Sequence, residues 1–222
     1  MCGRYALSSP IEELVEIFDV PPVEFDHEPR CNIAPTQMAP VVATDGRGTR
    51  MGLLRWGLVP PWADDPTVGS RMINARAETL HSKPAFKKAA VARRCLVPAD
   101  GFYEWAKEGG GKVPYWIHPP DGAPISFAGL WDRWRRGEDE PLYSFTIITV
   151  DASDSIRHLH PRMPAIISGE DRHVWLDRSG QYADALKLLR PFTGELDAYP
   201  VSTLVNSPAN DVTECITPIA TG

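Results

Sequence analysis

No run of about 18 apolar residues occurs in the sequence, so nothing in it is long enough to cross a bilayer as a helix. The start, Met1-Cys2-Gly3-Arg4-Tyr5, lacks a basic segment leading into an apolar core. A secretory signal is therefore not expected, and a cytoplasmic protein is. Cysteine is scarce: Cys2, Cys31, Cys95 and Cys215 stand far apart and form no C-x-x-C pair. That spacing argues against a zinc site, and a reducing interior argues against disulfides. No internal repeat or low-complexity linker divides the 222 residues. The expectation is a single domain over 1–222, large enough to bury a core without staples. Positive charge is short as well, with a net charge of −6. Taken whole, that is the wrong sign for a nucleic-acid binder.

The positive charge that is present is concentrated. Residues 71–94 hold Arg71, Arg76, Lys83, Lys87, Lys88, Arg93 and Arg94 against one acid, Glu78. A local basic face on an acidic body suits phosphate, although a solvated helix face gives the same pattern. The 22 prolines and 17 glycines imply many turns and short strands rather than a helical bundle. Ser9-Pro10-Ile11-Glu12 reads as a helix start with a Ser cap, opening a short amphipathic helix over 10–18. Residues 20–40 read as loop, 41–54 as a hairpin, 60–72 as loop and 82–92 as a basic helix. Strands are predicted at 95–98, 102–107, 113–118, 125–131, 143–150 and 165–167. Short helices are predicted at 152–159, after a Ser168 cap, and at 181–189, with an ordered end or short fray from Thr213. The fold class expected is α+β, mostly antiparallel β, with a barrel-like curled sheet and short peripheral helices.

Cys2 carries the most specific chemistry. Aminopeptidase removal of Met1 would leave an α-amine and a thiol on adjacent carbons, both nucleophilic near neutral pH. Such a 1,2-aminothiol condenses with an aldehyde to an imine, and its thiol then closes a five-membered thiazolidine. An internal cysteine cannot do this, because its nitrogen is an amide. Three further segments offer partners. Asn74-Ala75-Arg76-Ala77-Glu78-Thr79 sets an amide, a guanidinium and a carboxylate in a stretch that reads as irregular. Phe102-Tyr103-Glu104-Trp105-Ala106 reads as a strand with Phe102, Glu104 and Ala106 on one face and Tyr103 and Trp105 on the other. A carboxyl beside apolar rings has its pKa raised, which suits proton transfer near neutrality. His158-Leu159-His160-Pro161-Arg162 places His160 in a proline-fixed loop; with no third ligand apparent, the two histidines do not make a metal site. Cys95 and Cys215 read as buried hydrophobes. Trp62, in a proline-rich loop, could stack on an unpaired base.

Taken in order, Met1-Cys2-Gly3-Arg4-Tyr5, Asn32-Ile33-Ala34-Pro35-Thr36, Arg55-Trp56-Gly57-Leu58 with Pro61-Trp62, the Asn74–Thr79 segment, Pro98–Trp105, Ala128-Gly129-Leu130-Trp131 and His160-Pro161-Arg162-Met163-Pro164 resemble the SOS response-associated peptidase (SRAP) family. The resemblance runs from residue 1 to about Asn206. It implies a protein that crosslinks to abasic sites in single-stranded DNA through a Cys2 thiazolidine, with autoprocessing and lyase or reversal chemistry attached to the same site. It implies that Asn74 orients the aldehyde and the amine, that Glu104 moves protons and that His160 assists opening of the sugar. It implies that Arg4, Asn32, Arg76 and Arg162 hold phosphates or the lesion, and that Trp62 and Trp105 line the strand. The expected partners are abasic-site DNA and replication or repair proteins, for a monomer acting at the nucleoid, without cofactor, metal or membrane. Two rivals remain open: an amino-terminal-nucleophile amidase acting on a small amide through an acyl-enzyme, and a non-covalent single-strand binder in which Cys2 is incidental.

Overall fold

The computed structural model describes residues 2–219. Met1, whose removal the cysteine chemistry requires, and residues 220–222 lie outside the described residues. Among the described residues twelve strands follow one another: β1 (Tyr5–Leu7), β2 (Arg30–Ile33), β3 (Met38–Asp45), β4 (Gly48–Trp56), β5 (Asn74–Arg76), β6 (Arg94–Ala99), β7 (Gly101–Glu108), β8 (Gly111–His118), β9 (Ile125–Trp134), β10 (Leu142–Asp151), β11 (Arg162–Pro164) and β12 (Asp197–Pro200). Four short helices intervene: α1 (Ile11–Ile17), α2 (Pro84–Ala92), α3 (Asp171–Leu176) and α4 (Tyr182–Lys187). The architecture is α+β and mostly antiparallel, as the sequence predicts. Among the described residues no helix is long and apolar enough to cross a membrane.

The strands form two sheets. The first has the order β12-β8-β7-β1-β2. In the second, β10 pairs with β9 along one edge and with β4, in parallel, along the other. Strands β4, β3, β6, β9 and β10 thereby close into a ring. Past the ring, the far end of β10 takes β5 on one side and β11 on the other.

Aromatic residues join the sheets. Tyr5 of β1 meets Trp56 of β4 and Phe127 of β9 at ring distances of 5.2 and 5.9 Å, and Phe102 of β7 meets Phe127 at 5.9 Å. Each of these rings is fully buried, a burial worth about 2 kcal/mol apiece. Alternation along β7 sends Phe102 and Ala106 into this core and Tyr103 and Trp105 into a smaller cluster with Trp116, Val201, Val205 and Cys215. Glu104 shares the core-facing side, so the strand carries a carboxylate into the seam between the sheets. After β4 the chain turns at Gly57, whose φ is 121°, and passes backbone to backbone against Gly69. A Cβ on Gly57 would lie 2.6 Å from the Gly69 carbonyl oxygen. That approach seats the loop carrying Trp62.

Several local expectations give way to tertiary contacts. Ser9 does not cap α1. Pro10 holds that position, and the hydroxyls of Ser8 and Ser9 both reach Asp100 at 2.6 Å. A carboxylate from the β6–β7 turn outcompetes the helix amides. Ser168 likewise leaves the cap of α3 to Glu170, which makes no side-chain bond there. Residues 20–40 are not all loop, because polar Arg30 and Asn32 mask the short strand β2. Residues 152–159 are a run of turns rather than a helix, since the Ala152 amide bonds the Pro161 carbonyl at 3.0 Å and closes the segment on itself. The strand expected at 165–167 lies at 162–164, with Ile166 making one isolated bridge to Phe127. Asn74–Arg76 is regular, paired in parallel with β10, and only Ala77–Thr79 departs from it as a 3-10 turn.

Candidate active site

The two sheets bring four side chains together at their seam. The β1–β7 pairing places Tyr5 opposite Phe102, and the Tyr103 amide donates to the Arg4 carbonyl at 3.0 Å. The residues before β1 therefore run alongside Glu104 and Trp105. Asn74 arrives opposite Ile147, at the end of the second sheet. His160 precedes β11, which pairs with the last residues of the same strand β10. Cys2 and Glu104 thus come from one sheet, and Asn74 and His160 from the other.

The Asn74 amide donates to the Cys2 carbonyl at 2.6 Å. Its Oδ1 is buried and has no hydrogen-bond partner among the described residues. His160 Nδ1 lies 3.8 Å from Glu104 Oε1. The same Nδ1 lies 3.0 Å from both the amide and the carbonyl of Arg162, which hold the ring in place. Cys2 is wholly buried. Burial pushes its thiol well above the ordinary range, and the Glu104 charge pushes it further. Burial also raises the Glu104 carboxyl, against the opposing pull of neighbouring positive charge that includes His160. The thiol is therefore protonated at neutral pH, with a carboxyl poised beside it to exchange protons.

The residues expected around this centre divide by what they already hold. Arg4 donates from Nη1 to Asn32 Oδ1 and to the Val205 carbonyl, both at 2.9 Å. Among the described residues no carboxylate pairs with it, so its charge is not neutralised. Arg76 is exposed on β5, and Trp62 is 62% exposed. Trp62 borders a cleft of about 610 Å³ shared with Lys87, Lys88, Pro84, Arg93 and Asp132. Asn32, in contrast, is fully buried, and its amide group reaches the carbonyls of Val205, Ser207 and Asn210. Every polar atom of the side chain is turned to protein. Arg162 is likewise held by protein groups. It is gripped by Glu78 at 2.8 and 3.1 Å, by Asp151 at 2.7 Å and by the Thr149 carbonyl at 2.5 Å. Arg76 also acts on the Glu78 carboxylate. Trp105 is half-buried and donates to Asn206 Oδ1 at 2.8 Å.

The basic stretch is thinner at the surface than its sequence suggests. Arg94 is buried, where it binds the Ala90, Val91 and Trp175 carbonyls and closes the end of α2. Arg93 pairs with Asp132 at 3.0 Å. Arg71, Arg76, Lys83, Lys87 and Lys88 stay exposed. Cys95 and Cys215 are buried in their clusters. Among the described residues no group of three or more His, Cys, Asp or Glu is placed to hold a metal. Sequence reasoning missed Asp151 and Asp211. Neither sits in a motif, and their partners lie 11 and about 180 residues away.

A buried cysteine set against a carboxyl, an amide and an imidazole, at the seam of two antiparallel sheets, defines a cysteine-centred site on an α+β fold. The sequence model for "SOS response associated peptidase (SRAP)" matches residues 1–208, and the chain belongs to that family. It is 42% identical over 221 residues to the abasic site processing protein YoqW of Bacillus subtilis, covering 97% of this chain and 99% of that one. It is 41% identical over 194 residues to the abasic site processing protein HMCES of Gallus gallus, covering 76% of this chain and 57% of that longer protein. A crystal structure of a protein from Bacteroides thetaiotaomicron superposes with a TM-score of 0.89 at 27% identity, over 99% of this chain and all of that one.

Proposed function

We propose that this protein processes abasic sites in single-stranded DNA by forming a covalent thiazolidine through Cys2 once Met1 has been removed. The single observation that carries the proposal is the placement of Cys2 against Asn74, Glu104 and His160 at the seam. The names of the relatives supply the substrate class, since they are abasic site processing proteins.

The chemistry follows from the groups gathered around Cys2. His160 lends a proton to the ring oxygen as the lesion sugar opens to its aldehyde. The freed α-amine adds to the carbonyl carbon, and water leaves to give an imine. Asn74 has a buried Oδ1 available to orient the amine while its amide holds the Cys2 carbonyl. The neutral thiol then adds to the imine carbon. Its proton passes to the Glu104 carboxylate, and the imine nitrogen takes up a proton to become a ring amine. The balance is one aldehyde and one aminothiol giving one thiazolidine and one water. Because the thiol is held neutral, imine formation precedes ring closure, and a persistent imine is also the species from which lyase cleavage or reversal would start.

Arg4, Arg76, Trp62 and Trp105 contact the strand, whereas Asn32 and Arg162 order the groups around it. The protein acts as a single-domain monomer on cellular DNA. The test is an oligonucleotide carrying one abasic site, incubated with wild type or Cys2→Ala and run on a denaturing gel without a reducing trap. A shifted band that needs both the lesion and Cys2 supports the reading. No band from protein whose mass confirms loss of Met1 rejects it and brings the amidase forward.

A further inference from the structure

We infer that residues 203–211 form a strap that completes the strand-binding edge, with Asp211 as the positioning residue that keeps Arg4 in place beside the cysteine. This inference rests on the DNA reading given above. The strap follows β12 and carries a short 3-10 turn, Thr203–Asn206. It crosses β2, the edge strand of the first sheet, whose pairing with β1 is irregular between Tyr5 and Leu7. Asp211 meets that edge. One carboxylate oxygen accepts from the amides of Cys31 and Asn32 at 2.6 and 2.8 Å, and the other is ion-paired with Arg30. Edge amides of this kind need a partner, and here a side chain from the strap provides it.

The remaining contacts of the strap end on the site. The Asn32 side chain ties down three strap carbonyls and offers its Oδ1 to Arg4. Val205 gives its carbonyl to the same Arg4 nitrogen, and Asn206 accepts from Trp105. Asp211 thus holds β2, Asn32 and the strap in one register, and that register fixes Arg4 and Trp105. The choice of acceptors also bears on function. Arg4 is immobilised by neutral oxygens alone, while the strap's carboxylate is directed to Arg30. Its charge is preserved for an anion, and its side chain is ordered before the anion arrives. Preorganising a guanidinium removes the rotamer entropy that binding would otherwise cost.

The experiment compares wild type, Asp211→Asn, Asn206→Ala and Arg4→Ala. Two reactions are followed: crosslinking to an abasic-site oligonucleotide over a range of DNA and salt concentrations, and condensation of Cys2 with glycolaldehyde, which carries no phosphate. Asp211→Asn keeps an acceptor for the β2 amides but loses the ion pair. We expect it to raise the half-saturating DNA concentration about three- to tenfold, the cost of reordering one long side chain. We expect its salt slope to flatten by about 0.7, the share of one phosphate contact on a single strand, as Arg4→Ala should also do. The rate with glycolaldehyde should be unchanged. Asn206→Ala, on the exposed part of the strap, should give a smaller loss with no change of slope. A merely structural Asp211 would lower the active fraction in both reactions alike and leave the slope intact, which overturns the inference. A wild-type response of Asp211→Asn where Arg4→Ala weakens binding also overturns it while leaving the DNA reading in place. A wild-type response of Arg4→Ala itself refutes the role of Arg4 in DNA binding, and the inference falls with it.

Discussion

Replacing Asn32 with alanine separates two roles that the sequence does not distinguish. The side chain is fully buried. Its NH2 approaches three strap carbonyls at 3.3, 3.0 and 2.6 Å, so two protons serve three acceptors, while Oδ1 accepts from Arg4 at 2.9 Å. Three effective hydrogen bonds are lost, at about 1 kcal/mol each. The abandoned carbonyls belong to a largely exposed strap and regain water in part, which keeps the total near 3 kcal/mol rather than above it. For a chain of this length that corresponds to a fall in Tm of roughly 6–12 °C. Urea unfolding of Asn32→Ala should show the loss as a lower midpoint at an unchanged slope. Crosslinking per folded molecule should fall only as far as Arg4 is loosened. A variant of wild-type stability that no longer retains DNA would refute this account, because Asn32 would then touch the strand itself.

Glu104→Gln should slow crosslinking on the order of a hundredfold or more, the loss of one proton-transfer group, while raising stability at neutral pH by about 1 kcal/mol. The sign follows from burial, which raises the folded pKa. The folded state then favours the protonated acid, so the contribution of Glu104 is fully present below its unfolded pKa and is lost as pH rises through the folded value. Thermal unfolding should therefore show the advantage of Gln at pH 7 and its disappearance near pH 4. Arg162→Ala releases Glu78 and Asp151, whose side chains are 55% and 75% exposed, so solvent screening holds the loss near 1 kcal/mol. Its salt slope in the crosslinking assay should match wild type. Gly129→Ala would bring a Cβ within 2.9 Å of Cys95 Sγ and 3.0 Å of the Thr146 carbonyl, costing about 1–3 kcal/mol by chemical denaturation, with an unaltered crosslinking rate per folded molecule. Salt added before the lesion should slow crosslinking, and salt added afterwards should release nothing on a denaturing gel.

What could be read from the sequence was whatever depends on local pattern. The alternation Phe102, Glu104, Ala106 against Tyr103, Trp105 puts Glu104 on the face of Phe102 and Ala106, and the packing shows that face to be the side of the main core. The β3–β4 hairpin followed from its glycine-bearing turn. What could not be read depends on partners distant in sequence. Ser9 has every local qualification for a helix cap and is taken by Asp100, 91 residues away. Arg94 looks like part of a basic face and is a buried closure for α2 because Trp175 and the backbone around it supply carbonyls. Arg162 and Asn32 lie in segments that resemble a DNA-binding family, and residue type alone does not reveal that Glu78, Asp151 and the strap already occupy them. The strap was the least legible part, since its meaning lies wholly in where it lands.

The distribution of charge fits the proposed chemistry. The chain is net negative, and few cations, Arg4 and Arg76 among them, are available beside the site for a phosphate. Ionic contacts so few give a shallow salt slope, about −0.7 per phosphate on a single strand. Undamaged DNA is then held weakly and released readily. The aldehyde of an abasic site changes the situation in kind, because it converts a transient encounter into a bond that salt does not screen. A more basic surface would slow the search by holding intact strands, and it would add nothing to the lifetime of the adduct. Burial of the thiol acts to the same end: a neutral, enclosed sulfur is a poor target for soluble electrophiles and oxidants, yet becomes competent as soon as the neighbouring amine has captured a carbonyl within ring-closing distance. Selectivity for the lesion then rests on the order of two bond-forming steps rather than on strong binding of DNA.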